Sequence, residues 1–199
     1  MRLSPARALL IAASLIAGGM AAAEEQPSAA QMMDDLMFGR DKVGGPFTLT
    51  DISGRQRSDT EFRGKLMIVY FGYTSCPDVC PTDLMSITQA LEALGSAAEA
   101  IQPIFITLDP ERDDKVMAEY LKAFYPSFIG LTGSPDQIRR VANSYKAVYR
   151  KVEDAKTSNY TIDHTGVIYL MGRSGEYLGF MPPQTSPDRL SEVLRKYLS

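Results

Sequence analysis

The chain has 199 residues, of which 45% are hydrophobic and 23% charged, and carries a formal net charge of −3. This length supports one domain with a substantial core, while a mildly acidic balance without a Lys/Arg cluster argues against nucleic acid as a partner. It contains two cysteines and one histidine, so any site built from thiolates and imidazole draws on Cys76, Cys80 and His164.

Residues 1–23 read as a secretory signal peptide. Arg2 and Arg7 give a positive start, Ala8 to Ala23 is an uncharged and mostly apolar run, and Ala21-Ala22-Ala23 precedes Glu24 as a small-residue cleavage site. The run of 16 residues is shorter than the ~20 of a comfortable membrane span, with an uncleaved anchor as the alternative. Removing residues 1–23 leaves 176, and the loss of Arg2 and Arg7 takes the charge from −3 to −5. Export also places the cysteines in an oxidising compartment. A structural disulfide is then the simplest use for them, but a bridge closing so short a loop removes little chain entropy.

Residues 24–42 read as a flexible arm. Met32, Met33 and Met37 fall at helical spacing there and form a packing face or, less readily, a thioether site. The folded domain is expected over 43–199. Phe47 to Asp51 alternates apolar and polar, Ser53-Gly54 turns, and Gln56 to Ser58 returns as the second arm of a hairpin. Thr60 to Gly64 reads as one helical turn. Lys65 to Tyr73 is nearly all apolar, as a strand covered on both faces should be.

The cysteine segment Thr74-Ser75-Cys76-Pro77-Asp78-Val79-Cys80-Pro81 follows, and a helix is expected from Pro81 to Leu94, ended by Gly95. Ile101 to Leu108 forms a second buried strand. Asp109 to Asp113 then caps a helix with Val116, Met117, Tyr120, Leu121 and Phe124 inward. Phe128 to Gly133 is a short strand and turn, and Ser134-Pro135 caps a helix reaching Tyr145. Val148 to Val152 is a strand and Glu153 to Asn159 a polar connection. Ile162 to Leu170 is another strand, paired through the turn Gly172 to Gly175 with Glu176 to Phe180. A last helix carries Leu190, Val193, Leu194 and Tyr197 inward. This order of elements implies an α/β fold with a mixed central sheet, helices on both faces and an N-terminal β-hairpin.

Chemistry is expected at the carboxyl edge of such a sheet, where the cysteine loop leaves its strand. A thiol at the following helix N-terminus meets unpaired N–H groups and the positive end of the dipole, which favour thiolate. Cys76 and Cys80 stand at i, i+4, so both sulfurs face one side of a helical turn. His164 is read as the start of a strand beside that loop, with Asp163 as a support for its ring. Two thiolates and an imidazole suit Cu(I), suit Cu(II) with a further oxygen, and also suit zinc. Asp78 is a solvated turn residue or a group that tunes the thiols. Asp109, Glu111, Arg112 and Asp113 form a helix-start cluster whose loop flanks the site.

Cys76-Pro77-Asp78-Val79-Cys80-Pro81, Thr107-Leu108-Asp109-Pro110-Glu111-Arg112-Asp113, Leu131-Thr132-Gly133 and Asp163-His164-Thr165 with Tyr169-Leu170, in this order and spacing, resemble the Sco/SenC family. The resemblance covers roughly residues 40 to 198. It implies a thioredoxin-like three-layer fold and one copper ion held by Cys76, Cys80 and His164. It also implies a periplasmic protein, often membrane-tethered, that helps build the dinuclear copper centre of cytochrome c oxidase subunit II. A monomer supplied by another periplasmic copper chaperone completes that expectation. The alternatives are a thiol-disulfide oxidoreductase using Cys76 and Cys80 on the oxidase's copper-site cysteines, and a peroxidase with Thr74 beside an activated cysteine. No X-Pro pair precedes Ile162, where thioredoxins keep a proline, which places generic disulfide exchange below metal binding.

Overall fold

The computed structural model describes residues 42–153 and 159–198. The expected arm at 24–42, its methionines and the signal segment lie almost wholly outside these residues, as does most of the polar connection after Glu153. Among the described residues the chain opens with the expected hairpin, in which β1 (Thr48–Asp51) pairs antiparallel with β2 (Gln56–Ser58). Ser58 then caps a single 3-10 turn over Asp59–Phe62 through a capping box with Glu61.

β3 (Leu66–Gly72) is buried at every position, and so is β4 (Ile101–Thr107), its parallel neighbour. Between them runs α1 (Val79–Leu94), which begins two residues before the expected start and so takes Cys80 into its first turn. Pro81 is harmless there, because the first-turn N–H groups have no partner within the helix. After β4 the single expected helix is two short ones, α2 (Pro110–Asp113) and α3 (Met117–Leu121). The break at Asp114–Val116 turns Val116 outward, so it is exposed rather than part of the inner face, while Met117 and Leu121 are buried as expected.

β5 (Ile129–Thr132) is parallel to β4. α4 (Pro135–Ser144) starts at Ser134 with a capping box to Gln137. β6 (Tyr149–Glu153) and β7 (Tyr160–His164) form a separate two-stranded sheet. β8 (Ile168–Met171) and β9 (Tyr177–Met181) return to the main sheet, and α5 (Pro187–Leu198) packs against α1. Tyr197 on α5 is exposed, unlike Leu190 and Leu194.

The seven-stranded sheet has the order β2-β1-β5-β4-β3-β8-β9, with β3, β4 and β5 parallel and the flanking strands antiparallel. Alternation along β3 assigns the faces. Tyr70 points to α1, where its hydroxyl meets Asp83, and its in-register neighbour Phe105 meets Tyr120 of α3. Phe71 points the other way, onto Tyr145 just past α4, at a ring distance of 5.4 Å. Helices therefore cover both faces of a mixed α/β sheet, as expected.

One expected strand is corrected. Ile162 to Leu170 is not continuous, because Gly166 takes φ +60°, a left-handed conformation that suits glycine. The chain leaves one sheet at His164 and enters another at Ile168. His164 thus ends a strand rather than starting one.

Candidate metal centre

Two loops leave the carboxyl edge shared by β3 and β4. Gly72 lies opposite Thr107 in the parallel register, and Leu108 donates its N–H to the Gly72 carbonyl at 2.7 Å. The cysteine loop follows the first strand, and the Asp109–Asp113 segment follows the second. A Cβ on Gly72 would stand 3.0–3.1 Å from the Phe105 and Tyr70 rings and from Cys80 Sγ, so the bare backbone lets these groups close over the strand end.

Cys76 lies just before α1 and Cys80 in its first turn. The Cys80 N–H points at Cys76 Sγ at 3.4 Å, so the helix start itself donates to this sulfur. Both residues are buried and neither forms a disulfide.

His164 reaches the pair by register rather than by sequence proximity. β8 runs antiparallel to β3 with Ile168 opposite Tyr70, so the residues just before Ile168 lie beside the carboxyl end of β3. His164 Nε2 stands 3.3 Å from Cys80 Sγ across 84 positions of chain. The ligand atoms of Cys76, Cys80 and His164 all lie within 4.8 Å of one another, which makes these three a set able to hold a metal ion. The other ring nitrogen, Nδ1, accepts the Gly166 N–H at 3.1 Å, and the Tyr70 and Tyr73 rings meet the imidazole edge-on. Ring orientation is therefore fixed from three sides. Asp163 supplies none of this support: strand alternation turns its carboxylate to solvent, where it pairs with Arg150 at 3.0 Å.

The two thiols are electrostatically unlike. Cys76 is pulled well below the usual thiol range, first by a hydrogen bond from the Cys80 thiol, then by His164 and by the backbone N–H groups of Asp78 and Cys80. Cys80 is pushed up, because it donates to Cys76 and because it is wholly buried. Asp78 therefore contributes through its backbone, while its side chain is exposed and makes no capping bond. In the metal-free reduced protein one thiolate is expected to persist at about pH 6, where an ordinary thiol near 8.5 is protonated. The ultraviolet thiolate band should be present at that pH and absent in Cys76→Ser. A Cys76→Ser protein that keeps the band would assign the thiolate to Cys80.

The neighbouring loop does flank the centre, through residues whose roles the sequence left open. Asp113 is fully buried and accepts from the Thr74 N–H at 3.1 Å and from the Thr74 and Thr107 hydroxyls at 2.6 and 2.5 Å. It staples the cysteine loop to the end of β4. Thr74 thus spends its hydroxyl on Asp113, which removes it from the activating role that a peroxidase site requires. Arg112 pairs with Asp109, lies 3.6 Å over the Tyr160 ring and reaches Tyr73 at 5.9 Å. Tyr160 also donates to Asp109 at 2.8 Å, and the two contacts tie the β6–β7 hairpin to the main body. A second buried carboxylate, Asp83, lies on the same helix as Cys80 and accepts from the Tyr70 hydroxyl.

Comparison with known proteins gives a consistent result. Residues 37–199 match the SCO1/SenC family model. The SCO2-like protein of Rickettsia felis is 41% identical over 173 residues, covering 86% of this chain and 83% of that protein. The human mitochondrial SCO1 homolog is 35% identical over 173 residues, covering 85% of this chain and 58% of its own longer one. Among solved structures, Bradyrhizobium japonicum ScoI with copper bound matches with a TM-score of 0.72 and 42% identity, covering 78% of this chain and 99% of that one. Arabidopsis thaliana ScoI with copper bound gives 0.73 and 38%, with 78% and 98% covered. Two cysteines and a histidine able to hold a metal ion at the carboxyl edge of a thioredoxin-like sheet and a match over most of the sequence lead to one assignment: the chain belongs to the SCO1/SenC family.

Proposed function

We propose that this chain is a periplasmic copper carrier that holds one copper ion between Cys76, Cys80 and His164 and hands it to the dinuclear copper site of cytochrome c oxidase subunit II. The observation that carries the reading is the convergence of two sulfurs and an imidazole nitrogen within 4.8 Å. Ligand softness favours copper over magnesium or calcium, and the thiolate already present at Cys76 needs no proton removed before it binds. The copper-bound relatives at 42% and 38% identity support the same cargo. Delivery is by ligand exchange, in which acceptor thiolates displace Cys76 and Cys80 in turn. Export follows from the N-terminal pattern of Arg2, Arg7 and the apolar run, and a second periplasmic copper chaperone is the natural donor. Titration of the reduced protein with Cu(I) under a competing chelator is expected to saturate at one equivalent, and Cu(II) loading should give a sulfur-to-copper charge-transfer band. Titration without a break at one equivalent would overturn the reading.

The unlike thiols favour one alternative, a thiol-disulfide reductase. The Cys76 thiolate would attack an acceptor disulfide, and Cys80 would then resolve the mixed disulfide. The two thiols would give up two electrons and two protons as the acceptor becomes a dithiol. That activity needs no imidazole, so reduction that persists in His164→Ala and under copper chelation would identify it.

A further inference from the structure

Asp83 is wholly buried in α1, three residues beyond Cys80, and each of its oxygens has its own donor. Oδ1 accepts the Gln184 backbone N–H at 2.6 Å, and Oδ2 accepts the Tyr70 hydroxyl at 3.0 Å. The first bond holds a backbone that needs holding, since Gln184 is a non-glycine residue at φ +60°. The second controls a group in the metal centre. The Tyr70 ring and Cys80 Sγ close over Gly72 together, where a Cβ would meet them at 3.0 and 3.1 Å, and the Tyr70 ring stands edge-on to His164 at 6.3 Å.

A phenol has one hydrogen to give. Directed to Asp83, it leaves only oxygen lone pairs facing Cys80. Directed to Cys80, it places a donor on the sulfur and withdraws electron density from it. A carboxylate is the stronger acceptor, because a charge-assisted hydrogen bond is roughly twice as strong as a neutral one. We propose that Asp83 is a positioning residue that holds the Tyr70 hydrogen away from Cys80, leaving that sulfur free of this donor and at full strength toward a copper ion. The inference rests on the copper reading above. Hydrogen bonding around a cysteine sulfur is one of the levers by which proteins tune copper–thiolate and iron–sulfur centres, and here a single buried carboxylate sets it.

Asp83→Asn is a near-isosteric test with a defined outcome. The variant side chain has one strong acceptor. The Gln184 N–H can only donate, so the amide oxygen turns to it and the NH2 faces Tyr70. The phenol oxygen then accepts, and its hydrogen swings to Cys80. In the Cu(II)-loaded protein the sulfur-to-copper charge-transfer band is expected to move to higher energy. In the copper-free protein the Cys76–Cys80 couple, poised against a glutathione buffer, is expected to shift about fivefold toward the dithiol, the worth of one added hydrogen bond. Asp83→Asn combined with Tyr70→Phe should match Tyr70→Phe alone in both readings. A glutathione equilibrium of Asp83→Asn equal to wild type, or a shift that persists when Tyr70→Phe is also present, overturns the proposal. Tyr70→Phe alone covers the case in which Asp83→Asn folds poorly. It should stay near wild type in both readings, and a marked shift toward the disulfide would show that the hydroxyl already serves the sulfur, which also overturns it. Failure of the wild-type protein to bind copper would defeat the copper reading instead, and the glutathione measurement would still decide where the Tyr70 hydrogen lies.

Discussion

His164→Ala is expected to lower copper affinity by at least ~100-fold, since outer-shell residues alone change metal affinity by 10- to 100-fold and the proposed copper site draws a donor atom from this residue. The structure gives the reason. His164 Nε2 lies 3.3 Å from Cys80 Sγ, its ring is held by the Gly166 N–H and by two tyrosine edges, and the sequence holds no second imidazole to take its place. Folding should suffer much less. The ring is half-buried, and the variant forgoes two edge-on aromatic contacts worth roughly 0.5–1.5 kcal/mol each. A competition titration against a Cu(I) chelator reads the affinity, and thermal unfolding of the metal-free protein reads the fold. Affinity within threefold or so of wild type would remove His164 from the ligand set, given that such a change is under ~1 kcal/mol.

Asp113→Ala is expected to have the largest effect on stability, about 3–5 kcal/mol, because it strands donors, buried at Thr107 and half-buried at Thr74, that were paired to a charged acceptor. The Thr74 N–H and the Thr74 and Thr107 hydroxyls all lose their acceptor at once. Thr74 lies two residues from Cys76, so the loss is local to the metal centre as well as global. Urea unfolding of the metal-free protein measures the change, and Asp113→Asn, which keeps one acceptor oxygen, should recover part of it. A loss below ~1 kcal/mol would mean that water or another residue satisfies those donors.

These two residues also show what the amino-acid sequence discloses and what it withholds. The cysteine loop was legible because a nearly unbroken apolar strand, two prolines and a periodic helix bracket it, and each of those signals is local. The hairpin and the alternation of strands with helices were legible for the same reason, whereas the strand order was not, since it rests on pairings between distant segments. His164 was a candidate through its rarity, through an expected place at a strand start with Asp163 beside it, and through the family resemblance; the structure keeps the residue but not the strand start or the Asp163 support. Its approach to the sulfurs depends on the pairing of Ile168 with Tyr70, a long-range register that no local pattern encodes. The break at Gly166 was missed because Ile162 to Leu170 is apolar enough to pass for one strand. Asp113 looked like a helix-start acid, and Asp83 fell inside the helix expected from Pro81 to Leu94 with nothing to mark it. A carboxylate's burial depends on which donors the fold brings to it, and Thr74 reaches Asp113 from 39 positions away while Gln184 reaches Asp83 from 101. Val116 and Tyr197 were placed inward by extending a helical stripe past the point where packing supports it.

The join between the small hairpin and the main sheet has a bearing on how the length of this chain can vary. Only Thr165, Gly166 and Val167 separate the imidazole-bearing residue from Ile168, which is locked against β3. One inserted residue there would carry the ring about 3.3 Å, the rise of an extended residue, and out of bonding range of the sulfurs. Glu153 and Tyr160 pair at the other end of the same two strands, so a change of length between them leaves that tether untouched. Length can therefore vary beyond Glu153, whereas the three-residue spacer sets a ruler that the proposed copper site cannot do without.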